Sequence, residues 1–163
     1  MPRLGILGTM VWDRIFARDG RSEPIEEWGG ITYALAAATA ARAPGWELAP
    51  LIKVGRDLEH RAFDFLRSLP GMRLDGVRVV SEPNNRVDLR YEDQHRRTEK
   101  LSGGVPGWSW AELQPLLEGL DALYINFQKP QGATKSELLD NGVIVRHRGD
   151  KLVGMVIFNA SKR

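Results

Sequence analysis

Residues 28–42 read WGGITYALAAATAAR, and this stretch decides the fold. The alanine-dense run over 31–42 predicts a helix. Its small side chains let that helix lie close against a sheet. Gly29-Gly30 opens it and Pro44-Gly45 closes it. Just upstream, residues 4–7 form a short apolar run ending at Gly8, the pattern of a buried strand. Residues 11–16 continue as a second extended piece. Arg18-Asp19-Gly20-Arg21 then turns the chain, and residues 24–28 return to the glycine pair.

Downstream, residues 48–54 predict a strand. Gly55-Arg56-Asp57 supplies a turn with Asp57 as a helix cap. Leu58, Ala62, Phe65, Leu66 and Leu69 recur at helical spacing over 57–69, and Pro70-Gly71 stops that helix. Residues 77–80 are the next strand. Residues 86–91 alternate as RVDLRY, Glu92-Asp93-Gln94 turns, and 95–101 run back, making a polar hairpin of the kind used as a flap. Ser109 with Glu112 forms a capping box for a helix to about residue 118, and 120–127 is another buried strand. Strands alternating with helices predict an α/β domain with a mostly parallel sheet covered by helices. The two polar excursions, residues 13–28 and 84–103, can pair as a small second layer. From 128 the character changes: QKPQGATKS (128–136) has linker composition. Residues 142–147 and 152–158 flank Arg148-Gly149-Asp150-Lys151 as a β-hairpin.

Composition narrows the function classes. The 163 residues are 42% hydrophobic and 27% charged, enough for one domain with a core. The absence of Cys excludes disulfides and thiolate metal sites and favours a reducing cytoplasm. No run reaches the ~18 apolar residues of a membrane span, and the N-terminus does not read as a signal peptide. The formal charge of +2 is a weak attraction for polyanions. The cluster His95-Arg96-Arg97 with Lys100 is diluted by Glu92, Asp93 and Glu99, so it reads as a solvated flap face rather than a nucleic-acid surface. His60, His95 and His147 have no ligand-like spacing, and no metal site is expected. There is no GxxxxGK[ST] loop, so a P-loop kinase is not supported.

Taken in order, five features resemble the ribokinase/PfkB carbohydrate kinases. They are Gly8-Thr9-Met10-Val11-Trp12-Asp13 after the first strand, and Gly29-Gly30 opening a helix that ends Ala40-Ala41-Arg42. Then come Leu51-Ile52-Lys53-Val54-Gly55-Arg56-Asp57, Asn84-Asn85-Arg86 on the flap, and Leu123-Tyr124-Ile125-Asn126-Phe127. The resemblance covers residues 1–127 and leaves 128–163 as a divergent tail. It implies a ribokinase-like fold with a β-lid, and phosphorylation of a sugar hydroxyl with ATP and Mg2+; the alternative is a non-catalytic module that binds a sugar or nucleoside or dimerises through the lid. It also implies a lid that commonly pairs two copies into a homodimer. Carried over by position, Asp13, Gly29 and Gly30 would touch the sugar, and Asn85 and Arg86 would reach it from the flap. The chemistry is apt: a carboxylate past a strand end accepts from two hydroxyls, and a Gly-Gly helix start lets backbone approach a polyol. Trp28 and Trp108, beside glycine loops, are candidates to line the same pocket.

Three departures alter that expectation. At the fourth position after Gly30, many members carry Asn where this chain has Ala34. Gln128-Lys129-Pro130 replaces a glycine- and glutamate-containing loop. The family's C-terminal half, with the nucleotide pocket and a Gly-Ala-Gly-Asp motif carrying the base, is absent. His147-Arg148-Gly149-Asp150 keeps the last Gly and Asp, making Asp150 the one candidate base, although β-rich sequence after it favours a hairpin turn. Truncation, frameshift and a spliced-on tail are all consistent with the switch at 128, and such a chain would have little kinase activity alone.

Overall fold

The computed structural model describes residues 1–18, 23–93, 96–127 and 133–162. The turn at 18–21, the flap tip at Gln94 and His95, and linker residues 128–132 therefore lie wholly or partly outside the described residues. In chain order the elements are β1 (Arg3–Leu7), β2 (Met10–Phe16), β3 (Ile25–Gly30), α1 (Thr32–Ala41) and β4 (Glu47–Gly55). A 3-10 turn (Arg56–Leu58) leads into α2 (Glu59–Ser68), β5 (Val77–Val80), β6 (Arg86–Tyr91), β7 (Arg97–Ser102) and α3 (Trp110–Leu117). The chain ends with β8 (Ala122–Asn126), β9 (Lys135–Leu138), β10 (Val143–Arg148) and β11 (Lys151–Phe158).

The main sheet has the order β5-β4-β1-β8-β11-β10-β9. Its first three pairings are parallel and its last three antiparallel. This corrects the expectation of a mostly parallel sheet. The hairpin expected around Arg148-Gly149-Asp150-Lys151 is present as β10 and β11, and with β9 it adds three strands to the open edge of β8. The short turns joining β9, β10 and β11 force them antiparallel, whereas each parallel step needs a longer crossover. Strand β9 falls partly inside the segment read as linker. Its KSEL sequence is exposed throughout and has no apolar alternation to mark it.

Burial follows the two helix layers. Ile6, Ile52 and Val54 meet Leu35 of α1 and Ala62 and Leu66 of α2 on one face. On the other, Ala49, Leu51, Leu120 and Leu123 meet Leu113, Leu116 and Leu117 at α3. Each such buried Leu or Ile stabilises by about 1.5–3 kcal/mol relative to exposure. Strand β4 is buried at every residue after Glu47, as a central parallel strand requires.

The remaining four strands form a second sheet, β3-β2-β6-β7, in which β2 and β6 pair in parallel and so join the two polar excursions. This lid is fixed to the body by Asp57. The expectation of a helix cap is corrected here: neither helical turn after Gly55 has a side-chain cap. Asp57 instead accepts the Asn84 N–H at 2.8 Å and the Arg86 guanidinium at 2.6 Å. Asn84 is fully buried; its Oδ1 accepts the Gly55 N–H at 3.0 Å and its Nδ2 donates to the Met10 carbonyl at 3.3 Å. Ser109 and Glu112 form the complete capping box of α3.

Candidate functional site

A cleft of about 210 Å3 opens where β1 and β8 end, lined by Gly8, Thr9, Val11, Gly30, Ile31, Asn126 and Phe127. Crevices beyond the carboxyl ends of parallel strands are where open α/β sheets place their ligands. Glycine is required here for steric reasons. A side chain at Gly8 would press into Ile31. Gly30 has φ +68°, and a Cβ there would collide with the Thr9 carbonyl. That carbonyl accepts the Ile31 N–H at 2.9 Å, closing the step from β3 into α1 beside the β1–β2 turn.

The lid brings acidic residues near the cleft wall Val11. Val11 stands opposite Gly29, and Asp13 opposite Glu27, in the β2–β3 register. Any side chain at Gly29 would strike the Asp13 carboxylate, so the glycine makes the room that this carboxylate occupies. Tyr33, in the first turn of α1, has its hydroxyl pKa pushed up by partial burial and then by Glu27, Asp13 and Tyr91. These four acidic or phenolic groups thus share one neighbourhood.

Of the residues expected from sequence, Gly30 lines this cleft, while Asp13 and Gly29 lie against each other one residue along the lid strands, outside its lining. Asn85 and Arg86 are engaged at the base of the lid. Asn85 accepts the Trp12 N–H through its carbonyl at 2.9 Å and the Val105 N–H through its side chain at 3.2 Å. Arg86 is held on Asp57. Trp28 packs edge-on to Trp12 at 4.9 Å and lines a separate groove with Arg61 and Phe65. Trp108 lies against the Lys53 ammonium, 5.0 Å from its ring centre. Asp150 sits exposed in the β10–β11 turn, which Gly149 makes at φ +57°. Sequence reasoning missed Thr9, Ile31 and Asn126 as cleft walls. Asn126 was the detectable one: a polar residue closing the apolar strand 122–126.

No cluster of three or more His, Asp or Glu residues able to hold a metal occurs among the described residues. The chain also contains no Gly-Ala-Gly-Asp sequence.

Comparison with solved structures establishes the fold. The chain resembles the ribokinase of Cryptococcus neoformans var. grubii serotype A in complex with ADP (TM-score 0.52, 19% identity, 76% of this chain, 40% of that one). It resembles the Methanocaldococcus jannaschii nucleoside kinase, an archaeal member of the ribokinase family (TM-score 0.52, 15% identity, 77% and 44%). It also resembles a PfkB protein from Polaromonas sp. JS666 (TM-score 0.56, 12% identity, 76% and 44%). The fold is therefore like that of these structures, and the chain spans less than half of their length. No curated protein matches it in sequence. One family pattern does, "Protein of unknown function (DUF2283)", over residues 120–161. That match begins before β8 and runs through β11, so it spans the boundary at 127 drawn from sequence.

Proposed function

We propose that this chain binds a sugar or nucleoside in the cleft between Gly8, Gly30 and Asn126, as the substrate-binding part of a ribokinase-type kinase. The observation that carries this reading is the cleft's position. It lies at the carboxyl ends of β1 and β8, walled by two sterically required glycines, with the Asp13 carboxylate packed against Gly29, the neighbour of Gly30 in the chain. Asp13 would accept from ligand hydroxyls, and the lid would shield the bound ligand from water. Phosphoryl transfer needs a nucleotide site and a base, so the chain alone would have little or no kinase activity. Residues 1–127 would form the ribokinase-like part and 128–163 the added tail, with β8 serving both. The absence of Cys favours a reducing cytoplasm, and no helix among the described residues is long and apolar enough to cross a membrane.

Calorimetric titration with ribose, fructose, adenosine and inosine tests the reading. Saturable binding of one of them, weakened at least tenfold in Asp13→Asn, is expected. Binding unaffected by that change would remove Asp13 from the site, and binding of none would remove the reading itself. A homodimer through the lid is a second proposal, favoured by exposed Ile25, Tyr91 and Leu101 on its strands. Light scattering showing a strict monomer at high concentration would exclude it.

A further inference from the structure

The cleft wall residue Asn126 begins a row of residues that crosses the tail strands. In the β8–β11 register Asn126 stands opposite Gly154, and in the β11–β10 register Gly154 stands opposite Arg146. Directly paired residues share a face, so Asn126, Gly154 and Arg146 form one row across three strands. The face is that of α1 and α2. Asn126 is two residues from Tyr124, which packs on the core cluster containing Leu35 and Leu66, and an ideal Cβ on Gly154 would meet the Tyr124 hydroxyl at 3.5 Å. The row therefore lies on the same side of the sheet as the cleft wall Ile31. Gly154 leaves the floor between the two side chains open. With strands roughly 4.8 Å apart, Arg146 starts about 10 Å from Asn126, within the reach of an arginine.

Arg146 is also open to a ligand. Its residue is only partly exposed. Among the described residues its guanidinium has no hydrogen bond, ion pair or ring contact, a state it shares with Arg56 and the exposed Arg148, whereas Arg3, Arg14, Arg86, Arg96 and Arg97 have carboxylates. Arg148 and Lys151 follow at the hairpin end, with Asp150 between them as the local acid. A planar guanidinium with five donors at the end of a polar row suits a phosphate oxygen pair.

We propose that Arg146 extends the cleft into a phosphate subsite, so that the preferred ligand is a phosphorylated sugar or a nucleoside monophosphate. Asp13 at the lid end takes hydroxyls and Arg146 at the tail end takes the phosphate. The cleft thus has an acidic and a basic end, and a ligand carrying a hydroxyl-rich ring and one phosphate matches both. This rests on the cleft being the ligand site.

The test is titration of the full chain with the pairs ribose/ribose 5-phosphate and adenosine/AMP, with inorganic phosphate as a control. One charge-assisted bidentate contact predicts roughly ten- to hundredfold tighter binding of the phosphorylated member. That preference disappears in Arg146→Gln and is partly kept in Arg146→Lys, with affinity for the neutral member unchanged in both. Equal affinity within each pair, or a preference that survives Arg146→Gln, overturns the proposal while leaving the cleft reading intact. Binding of inorganic phosphate alone, with no added affinity from the ring, overturns the joined site. If no member of either pair binds, the cleft reading falls and the phosphate subsite with it.

Discussion

The two halves of the seven-stranded sheet are built on different principles. Strands β5, β4 and β1 are parallel, and β4 is buried along nearly its whole length between helices. Strands β11, β10 and β9 are antiparallel and progressively more exposed, ending in β9, where every residue is exposed. A parallel half must have both faces covered, because its crossovers are helices; an antiparallel half can leave its faces open to water. Stability should therefore be concentrated on one side of β8, and the other side is free to carry charge.

Substitution across the two halves would measure that asymmetry. Ile52→Ala, in the fully buried β4, should cost about 2–5 kcal/mol in urea unfolding. A loss under about 1 kcal/mol would mean that the parallel half is not the anchor. An intermediate effect is expected from Glu112→Gln. The Lys53 ammonium, and then Ser109, hold the Glu112 carboxyl down to about 2 from its ordinary 4.5. Because the folded value is the lower one, this contribution is complete above pH 4.5 and lost as pH falls towards 2. Melting temperatures of the two proteins should differ at pH 7 and converge near pH 2; curves that stay parallel down to pH 2 would deny the ion pair any role. The smallest effect belongs to Leu138→Ala in β9, within about 0.5 kcal/mol, although Leu138 is a large apolar residue. A loss as large as that of Ile52→Ala would make the two halves energetically equal.

Where local chemistry decides structure, the sequence was readable. The glycine pair before an alanine-rich run, the apolar run of β4, the Ser109–Glu112 box and the turn at Gly149 each act within a few residues. Asp57 was misread because its partners, Asn84 and Arg86, are 27 and 29 residues away. Docking of the tail on β8 was hidden because backbone hydrogen bonds between strands leave little trace in side-chain pattern. The cleft was half legible: Gly8 and Gly30 are residue types with a local reason, whereas Asn126 is set in one row with Gly154 and Arg146 only through the register of β11.

Strand β8 pairs with β1 on one side and β11 on the other. During synthesis its two partners arrive at very different times. β1 is already made when β8 emerges, but β11 ends 32 residues after β8 does (158 minus 126). At typical translation rates of roughly 5–20 residues per second, the outer edge of β8 waits about 2–6 s for its own chain. During that interval the nascent protein presents an unpaired apolar strand, the kind of edge on which neighbouring chains aggregate.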